Sequence, residues 1–378
     1  MRIGLNLLHA IPSVGGVWSY IDSFLTALSR VDSVNEYVAY STACSLQIVP
    51  KAANFHPVVV SVDASSRAWR ILYEHLGLAR AARRDGIECM HWFGNTRALG
   101  FPVPSIVTVH DLMVFSRPES FTRTKRAYLK TLLRLNSHDR AGTRFCPVSE
   151  ATARDLQAKL RVTGDRVLTI PFMIQPMFRR ASASVVQSFR VRLGLPDQFW
   201  LYVSHTYRHK NHVRLVEALG EVKTRGGSCW PLVLRGDPRD GEPELERAID
   251  RLGLSQDVIR LPPLNYADLP ALYSAASAFV FPSTFEGIGL PVVEAMACGC
   301  PTAVADLPSV REYAGDAALY YDSQSARSIA DAMMLLQNNE SLRMELRRRG
   351  ELRSGIHSAV RVIGRLLAFY RDASRRGS

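Results

Sequence analysis

The sequence lacks any apolar run long enough to cross a bilayer. None of its 378 residues sits in a stretch near the roughly 18 uninterrupted apolar positions a spanning helix needs. The N-terminus, MRIGLNLL, has one basic residue and then a strand-like run, without the long apolar core of a secretory leader. Paired cysteines are also scarce. The six cysteines (44, 89, 146, 229, 298 and 300) are scattered, mostly inside apolar strand-like runs, as in a reduced, cytoplasmic chain. Cys298 and Cys300 form a C-x-C with no further Cys or His cluster nearby, so they read as small helix-end residues rather than a metal or redox pair. Repeats and low-complexity segments are absent. So are an Asp-x-Asp acid pair, the usual metal-diphosphate handle, and a G-x-G-x-x-G with its ribose-binding acid, which argues against a nicotinamide site.

Acids are outnumbered, 35 against 47 Lys and Arg, for a net charge of +12. That balance points to an anionic partner: nucleic acid, a membrane surface or a phosphorylated ligand. A nucleic-acid binder should show a basic stripe with stacking aromatics or a known module, and the chain has neither. One concentration of charge is local. FTRTKRAYLKTLLRL carries Arg123, Lys125, Arg126, Lys130 and Arg134 and no acid, with Phe121, Tyr128, Leu129, Leu132 and Leu133 at helical spacing. Such a basic amphipathic helix suits the surface of an anionic bilayer. It equally suits a surface helix whose apolar stripe lies in its own domain core.

What is present in quantity is alternation. Strand-like and helix-like segments alternate throughout, which predicts parallel sheets with crossover helices. The first half offers strands at Arg2–Leu8, Tyr37–Ser41, Val58–Val62, Glu88–Phe93, Ser105–His110, Phe145–Ser149 and Val167–Pro171. Helical patterns cover Val17–Arg30, Arg67–Arg84 and Glu150–Leu160. The second half offers strands at Trp200–Ser204, Pro231–Arg235, Val258–Leu261, Ala278–Pro282, Thr302–Ala305 and Ala318–Tyr321, with helices at His212–Thr224, Pro243–Arg251, Leu269–Ala275, Pro291–Ala297 and Ala326–Leu336. PFMIQPMFRRASAS breaks both periodicities and reads as a linker. The predicted fold is therefore α/β with two Rossmann-like domains. The first covers residues 1–172, the linker 173–184 and the second domain 185–355. A C-terminal helix over 356–378 is expected to cross back to the first. Facing domains of this kind leave a cleft at the carboxyl ends of both sheets, where open α/β sheets bind ligands.

The most informative segment is FPSTFEGIGLPVVEAMACGCP. Its carboxylates, Glu286 and Glu294, have seven residues between them, with Gly287 and Gly289 in the gap and Pro291 before the second acid. The chain runs strand, glycine turn, helix, with proline where a helix opens. Such a turn aims free backbone N–H groups and a helix dipole at an anion. Carboxylates accept hydrogen bonds and repel phosphate, so the two acids suit hydroxyl-rich groups on either side of it. A nucleotide-sugar, with ribose, diphosphate and sugar in a row, fits this layout.

The segment resembles the signature of retaining glycosyltransferases of family 4, E-G-F-G-L-P-x-x-E-A-M-A-x-G-x-P, with Ile288 in place of the commoner Phe. The resemblance covers most of the chain, is most specific from Trp200 to Asp322, and implies the two-Rossmann-domain GT-B architecture. By position, Glu286 would hold the sugar hydroxyls and Glu294 the ribose diol. The backbone of Gly287, Ile288, Gly289 and Leu290 would line the sugar and diphosphate. Gly15 and Gly16, before the first helix, match a family glycine pair near the donor phosphates; a plain turn is the alternative. His110 and Asp111 end a strand where family members contact the transferred sugar. A solvated strand end with Asp111 in a turn is the other reading. Lys210 and Asn211 match a basic helix start that binds diphosphate. Arg208 is displaced there by the inserted His209, and Ser204-His205 replaces the usual Gly-Arg. Ser149 reads as a helix cap. No cofactor or metal is expected; Lys210, with Arg208, and the helix start near Pro291 would steady the leaving diphosphate.

The string also resembles bacterial mannosyltransferases of polysaccharide and lipopolysaccharide assembly. GDP-mannose is thus the first expected donor, with UDP- and dTDP-sugars behind it, and a glycan or lipid-linked acceptor is expected. A cytoplasmic chain at the inner face of the membrane would suit such acceptors. The other class of reading is an epimerase or phosphorylase on the same architecture; epimerases lack this pair of acids.

Overall fold

A computed structural model describes residues 1–11, 15–61, 66–139, 142–226 and 229–376. They form two compact α/β units: Met1–Met173 together with His357–Ser378, and Ile174–Ile356. The first unit holds strands β1 (Arg2–Asn6), β2 (Glu36–Ser41), β3 (Phe55–Val59), β4 (Cys89–Trp92), β5 (Ser105–Val109) and β6 (Thr143–Pro147). All pair in parallel, in the order β3-β2-β1-β4-β5-β6. The second holds β7 (Trp200–Val203), β8 (Leu232–Arg235), β9 (Val258–Arg260), β10 (Ala278–Phe281), β11 (Thr302–Ala305) and β12 (Ala318–Tyr321). These too are parallel, ordered β12-β11-β10-β7-β8-β9. Counted from its own first strand, each sheet has the Rossmann order 3-2-1-4-5-6. The order reverses between β1 and β4, and again between β7 and β10. Loops at those reversals part in opposite directions and leave room for a ligand.

The central strands are apolar without alternation because helices cover both faces. Every residue of β4, β5, β10 and β11 is buried. In the first unit the helices are α1 (Gly16–Val31), α2 (Arg67–Arg84), the short α3 (Met113–Ser116), α4 (Arg123–His138) and α5 (Glu150–Leu160). The second has α6 (Ala183–Leu193), α7 (His212–Gly226), α8 (Glu242–Arg251), α9 (Leu269–Ala275), α10 (Leu290–Ala297), α11 (Pro308–Ala314), α12 (Ala326–Asn338) and α13 (Glu340–Ser354). Side-chain caps start several of them. Ser149 accepts from Thr152 N–H at 3.1 Å, Ser325 from Ser328 N–H at 3.1 Å, and Asn339 from Leu342 N–H at 2.9 Å.

The last helix, α14 (Ala359–Arg376), belongs to the first unit. Ile363, Leu366 and Tyr370 are fully buried at one-face spacing. The Tyr370 hydroxyl meets His91 Nδ1 under the sheet. Arg144 donates to the carbonyls of Phe369 and Asp372 at 3.4 and 3.1 Å.

Three expectations change. Val167–Pro171 is not a strand: Leu168 and Ile170 donate to Phe145 and Pro147, but only Val167 forms a bridge. Val58–Val62 forms as β3, shifted towards Phe55, and Val62 lies outside the described residues. Helices α3, α6, α11 and α13 have no counterpart in the sequence reading. Helix α6 starts at Ala183 inside the stretch read as linker, capped by Ser182. Helix α13 is charged nearly all round and buries only Leu346 and Gly350, so periodicity does not reveal it.

Gly236, just after β8, sits against the β7 loop. A Cβ there would lie 1.9 Å from the Ser204 carbonyl oxygen, and backbone cannot retreat as a flexible side chain can. Gly236→Ala should therefore cost about 3 kcal/mol or more. Urea unfolding should show a lower midpoint at an unchanged slope; an unchanged midpoint would mean that the two loops separate freely.

Candidate active site

The order reversal in the second unit places two loops side by side. One runs from Ser204 to Asn211 after β7, the other from Pro282 to Gly289 after β10. Backbone stitching joins them: Thr284 N–H and its hydroxyl both donate to the His209 carbonyl, at 2.8 and 3.1 Å. Within the first loop, Arg208–Lys210 make a single 3-10 turn. The buried Tyr202 phenol fixes it by donating to the Lys210 carbonyl at 2.7 Å. Asn211 follows in the left-handed region, φ 61°. Its amide donates to the carbonyls of Pro282 and Ser323 at 3.1 and 2.8 Å. Asn211 thus staples three loops together, and its donors are committed to backbone.

This frame brings Lys210 to Glu286, Nζ to Oε1 2.5 Å. Their side chains are 18% and 11% exposed, so this is not a solvent-swept surface pair. Lys210 also lies over the Phe281 ring at 5.7 Å. Ser309 holds the Glu286 backbone by donating to its carbonyl at 2.8 Å.

Gly289 caps α10 with φ 86°, a conformation open chiefly to glycine. The helix starts at Leu290, so Pro291 is its second residue; a missing donor costs nothing in the first turn. Among the described residues, no acceptor takes the N–H groups of Gly287, Ile288, Gly289 or Leu290. Four successive donors therefore stand open at a helix start, beside a lysine.

Glu294, one turn further on, is 4% exposed. Tyr266 donates to its Oε1 at 3.1 Å and Tyr273 to its Oε2 at 2.9 Å. Burial pushes its carboxyl up to about 7, against the pull of these two hydrogen bonds. Neither tyrosine appears in the sequence reading. Tyr273 sits in LPALYSAA as one more apolar position of a buried helix, and nothing in the sequence links it to an acid 21 residues on.

Arg208 takes no part in this group. It is an exposed residue whose guanidinium pairs with Glu244 at 2.6 Å.

In the first unit, Gly15 caps α1 with φ 63°, and α1 begins at Gly16, one residue before the expected start. His110 is half-buried, and burial lowers it to about 4, so it is neutral. Its Nε2 bonds to the Phe93 carbonyl at 2.8 Å. A carbonyl only accepts, so Nε2 carries the proton and Nδ1 is the acceptor. Asp111 Oδ1 accepts from Met113 N–H at 2.8 Å, which makes it a turn-former at the start of α3. His9, missed from sequence, lies against Gly94, where a Cβ would come within 3.2 Å of its ring. Burial lowers it to about 3, with Arg70 adding to the shift.

Helix α4 turns its apolar stripe inward. Leu132 and Leu133 are buried, and Phe121 and Leu129 pack on the unit's core. Arg123 and Lys125 are exposed.

Comparison with known proteins follows this geometry. Residues 186–353 match the model described as glycosyl transferases group 1, and residues 14–176 the model described as glycosyltransferase family 4. An O-antigen chain mannosyltransferase B of Escherichia coli is 28% identical over 63% of this chain; the match spans 62% of that relative's length. The O-antigen chain mannosyltransferase RfbU of Salmonella typhimurium is 25% identical over 87% of this chain and 89% of its own. Among solved structures, WaaG, a glycosyltransferase involved in lipopolysaccharide biosynthesis, superposes with a TM-score of 0.78 at 15% identity, over 97% of this chain and 99% of its own. That likeness supports the fold.

The environment of Glu294 carries a pH signature. Its carboxyl lies near 7 folded against a reference of 4.5. Between those values the unfolded chain binds fewer protons, so this group's contribution to stability falls as pH rises, then stays constant above about 7. The full loss is about 3 kcal/mol. Unfolding free energies of the wild type and Glu294→Gln, measured from pH 5 to 8, should diverge by about that amount in the variant's favour. A pH-independent difference would mean that Glu294 titrates as an ordinary carboxylate.

Proposed function

The chain belongs to the glycosyltransferases, matching family 4 over residues 14–176 and group 1 over 186–353, and from that premise we propose that it moves a sugar from a nucleoside diphosphate to an acceptor hydroxyl with retention of anomeric configuration. The observation that carries this reading is the row of open N–H groups at the start of α10, beside Lys210. Donors fixed in advance at the place where charge develops can each be worth roughly 3–4 kcal/mol in the transition state. Here they face the diphosphate, which gains charge as the C1–O bond breaks. Lys210 adds a mobile cation, so the reading needs no metal.

The acceptor oxygen attacks C1 on the face the diphosphate leaves, and the departing phosphate oxygen takes its proton. Glu286 holds sugar hydroxyls and Glu294 the ribose diol. Arg208 and Asn211 are left out of the donor contacts, since one pairs with Glu244 and the other with backbone carbonyls. The names of two relatives, O-antigen chain mannosyltransferases, support mannose as the sugar; GDP-mannose as the donor and a glycan or lipid-linked acceptor of surface polysaccharide assembly complete this reading.

Membrane contact, in this reading, is electrostatic. No described helix is long and apolar enough to cross a bilayer, and α4 keeps its apolar stripe for the core. Arg123, Lys125 and Arg126, in the first turn of α4, are the groups proposed to meet anionic lipid. Co-sedimentation with phosphatidylglycerol vesicles should then vanish above about 0.5 M salt, where screening is nearly complete. It should also vanish when the three are changed to Gln. Binding that survives both changes would make the contact apolar.

Thermal unfolding against GDP-mannose, UDP-glucose, UDP-GlcNAc and dTDP-rhamnose, each with EDTA, tests the donor. GDP-mannose at about 100 times its dissociation constant should add about 2.7 kcal/mol. Lys210→Met should remove most of that gain. A response to a uridine donor alone would overturn the choice of base, and no response to any donor would overturn the reading. Inverted stereochemistry at C1 of the product, read by NMR, would exclude same-face transfer.

A further inference from the structure

Two tyrosines reach Glu294 from different kinds of support. Tyr273 is fully buried on α9, edge-on to Phe279 at 5.6 Å and near Phe178 at 6.4 Å. Its phenol is locked on Oε2. Tyr266 is partly exposed on the single 3-10 turn Tyr266–Asp268, between β9 and α9, with Phe178 at 5.3 Å. Its phenol covers Oε1. A carboxylate that is to accept a vicinal diol needs one orientation and an open oxygen. One tyrosine sets the orientation; the other occupies the oxygen.

We propose that Tyr273 is the fixed anchor that orients Glu294, and that Tyr266 is a placeholder whose hydroxyl a ribose diol displaces. This rests on the reading that the second unit binds a nucleoside diphosphate. Tyr273 has no room to leave, and its loss would let the carboxylate rotate. Tyr266 has one face towards solvent and a short turn beneath it, so it can swing away. Its hydroxyl also hides a buried carboxylate oxygen from water while the site is empty. The two phenols donate to the same group yet oppose each other in binding.

Calorimetric titration of GDP and 2′,3′-dideoxy-GDP, or of UDP and 2′,3′-dideoxy-UDP where the wild type takes only the uridine nucleotide, into the wild type, Tyr273→Phe and Tyr266→Phe, at about pH 8.5 where Glu294 is ionised in each, separates the roles. Tyr273→Phe should weaken GDP about tenfold, the scale of one hydrogen bond to a charged group. Tyr266→Phe should tighten GDP about threefold, because the competitor is gone. Neither change should alter binding of the dideoxy nucleotide. Each removes a donor to the charged form, so the pH midpoint for GDP binding should rise in both variants. Changes in GDP affinity of the same sign in the two variants, no change in either, or equal effects on the dideoxy nucleotide would overturn the proposal. Should the wild type bind neither GDP nor UDP, the functional reading falls and the proposal with it. GDP binding by the wild type with two unaltered variants would leave that reading intact and sink only the tyrosine roles.

Discussion

The hydrogen bonds from Thr284 to the His209 carbonyl are the constraint on which the donor side of this protein depends. Strands β7 and β10 are neighbours at the reversal of strand order, so their loops would naturally part. Left alone, Lys210 and Glu286 would have to find each other by ordering two long side chains, at a cost that cancels most exposed ion pairs. Here the backbone does the ordering. Tyr202 pins the Lys210 carbonyl, Asn211 ties the same turn to Pro282 and Ser323, and Ser309 holds Glu286 from α11. The side chains meet because their backbones are already placed. Gly236 belongs to the same frame, since only a residue without a Cβ lets the β8 loop lie on Ser204.

A preassembled Lys210–Glu286 pair has a consequence for binding. Two half-buried charges are tolerable only while paired. A diphosphate entering beside Lys210 offers it a new partner and frees Glu286, and sugar hydroxyls can then donate to the released carboxylate. Neither charge need be buried alone at any stage of the proposed exchange. Charge is conserved in a different way at Glu294. That group has no cation, only two phenols, and its carboxyl therefore rises to about 7. Hydrogen bonds lower the cost of the charged form without abolishing it. The two acids of the signature thus differ in kind: one is held by an ion pair and one by neutral donors.

The sequence reveals the first of these arrangements far better than the second. Alternating apolar runs predict twelve of the strands to within a few residues, because buried parallel strands need unbroken apolar sequence. The glycine turn is legible because Gly289 occupies a conformation few residues adopt. Lys210 and the two acids are legible because they stand in strings that resemble a family signature. Tyr273 is not, since an aromatic residue on a buried helix face is the ordinary requirement of a core. Asn211 misleads for a related reason. It lies beside Lys210 and reads as a ligand, yet its left-handed backbone and two carbonyl partners make it structural. Asp111 is similar, with its carboxylate spent at least in part on the Met113 N–H. Local sequence shows where a chain turns, but not which side chains are consumed in making the turn.

Net charge misleads on a larger scale. A balance of +12 implies an anionic partner only if the cations face outward and lack other work. Many of the arginines here serve helix ends, where backbone carbonyls stand unpaired and the dipole is negative. Arg166 is buried and donates to the carbonyls of Asn136, Ser137 and Asp139 at the end of α4. Arg353 donates to those of Glu312 and Tyr313 on α11, and Arg343 to those of Leu336 and Gln337 on α12. Arg144 is likewise committed to backbone, donating to the carbonyls of Phe369 and Asp372 along α14. These guanidiniums have formal charge but are committed to fold. Formal charge therefore overstates what is available for recognition. The proposed reading uses two local groups, Lys210, whose partner is itself a candidate ligand, and the first turn of α4. Both were visible as local clusters, and the total charge added little to either.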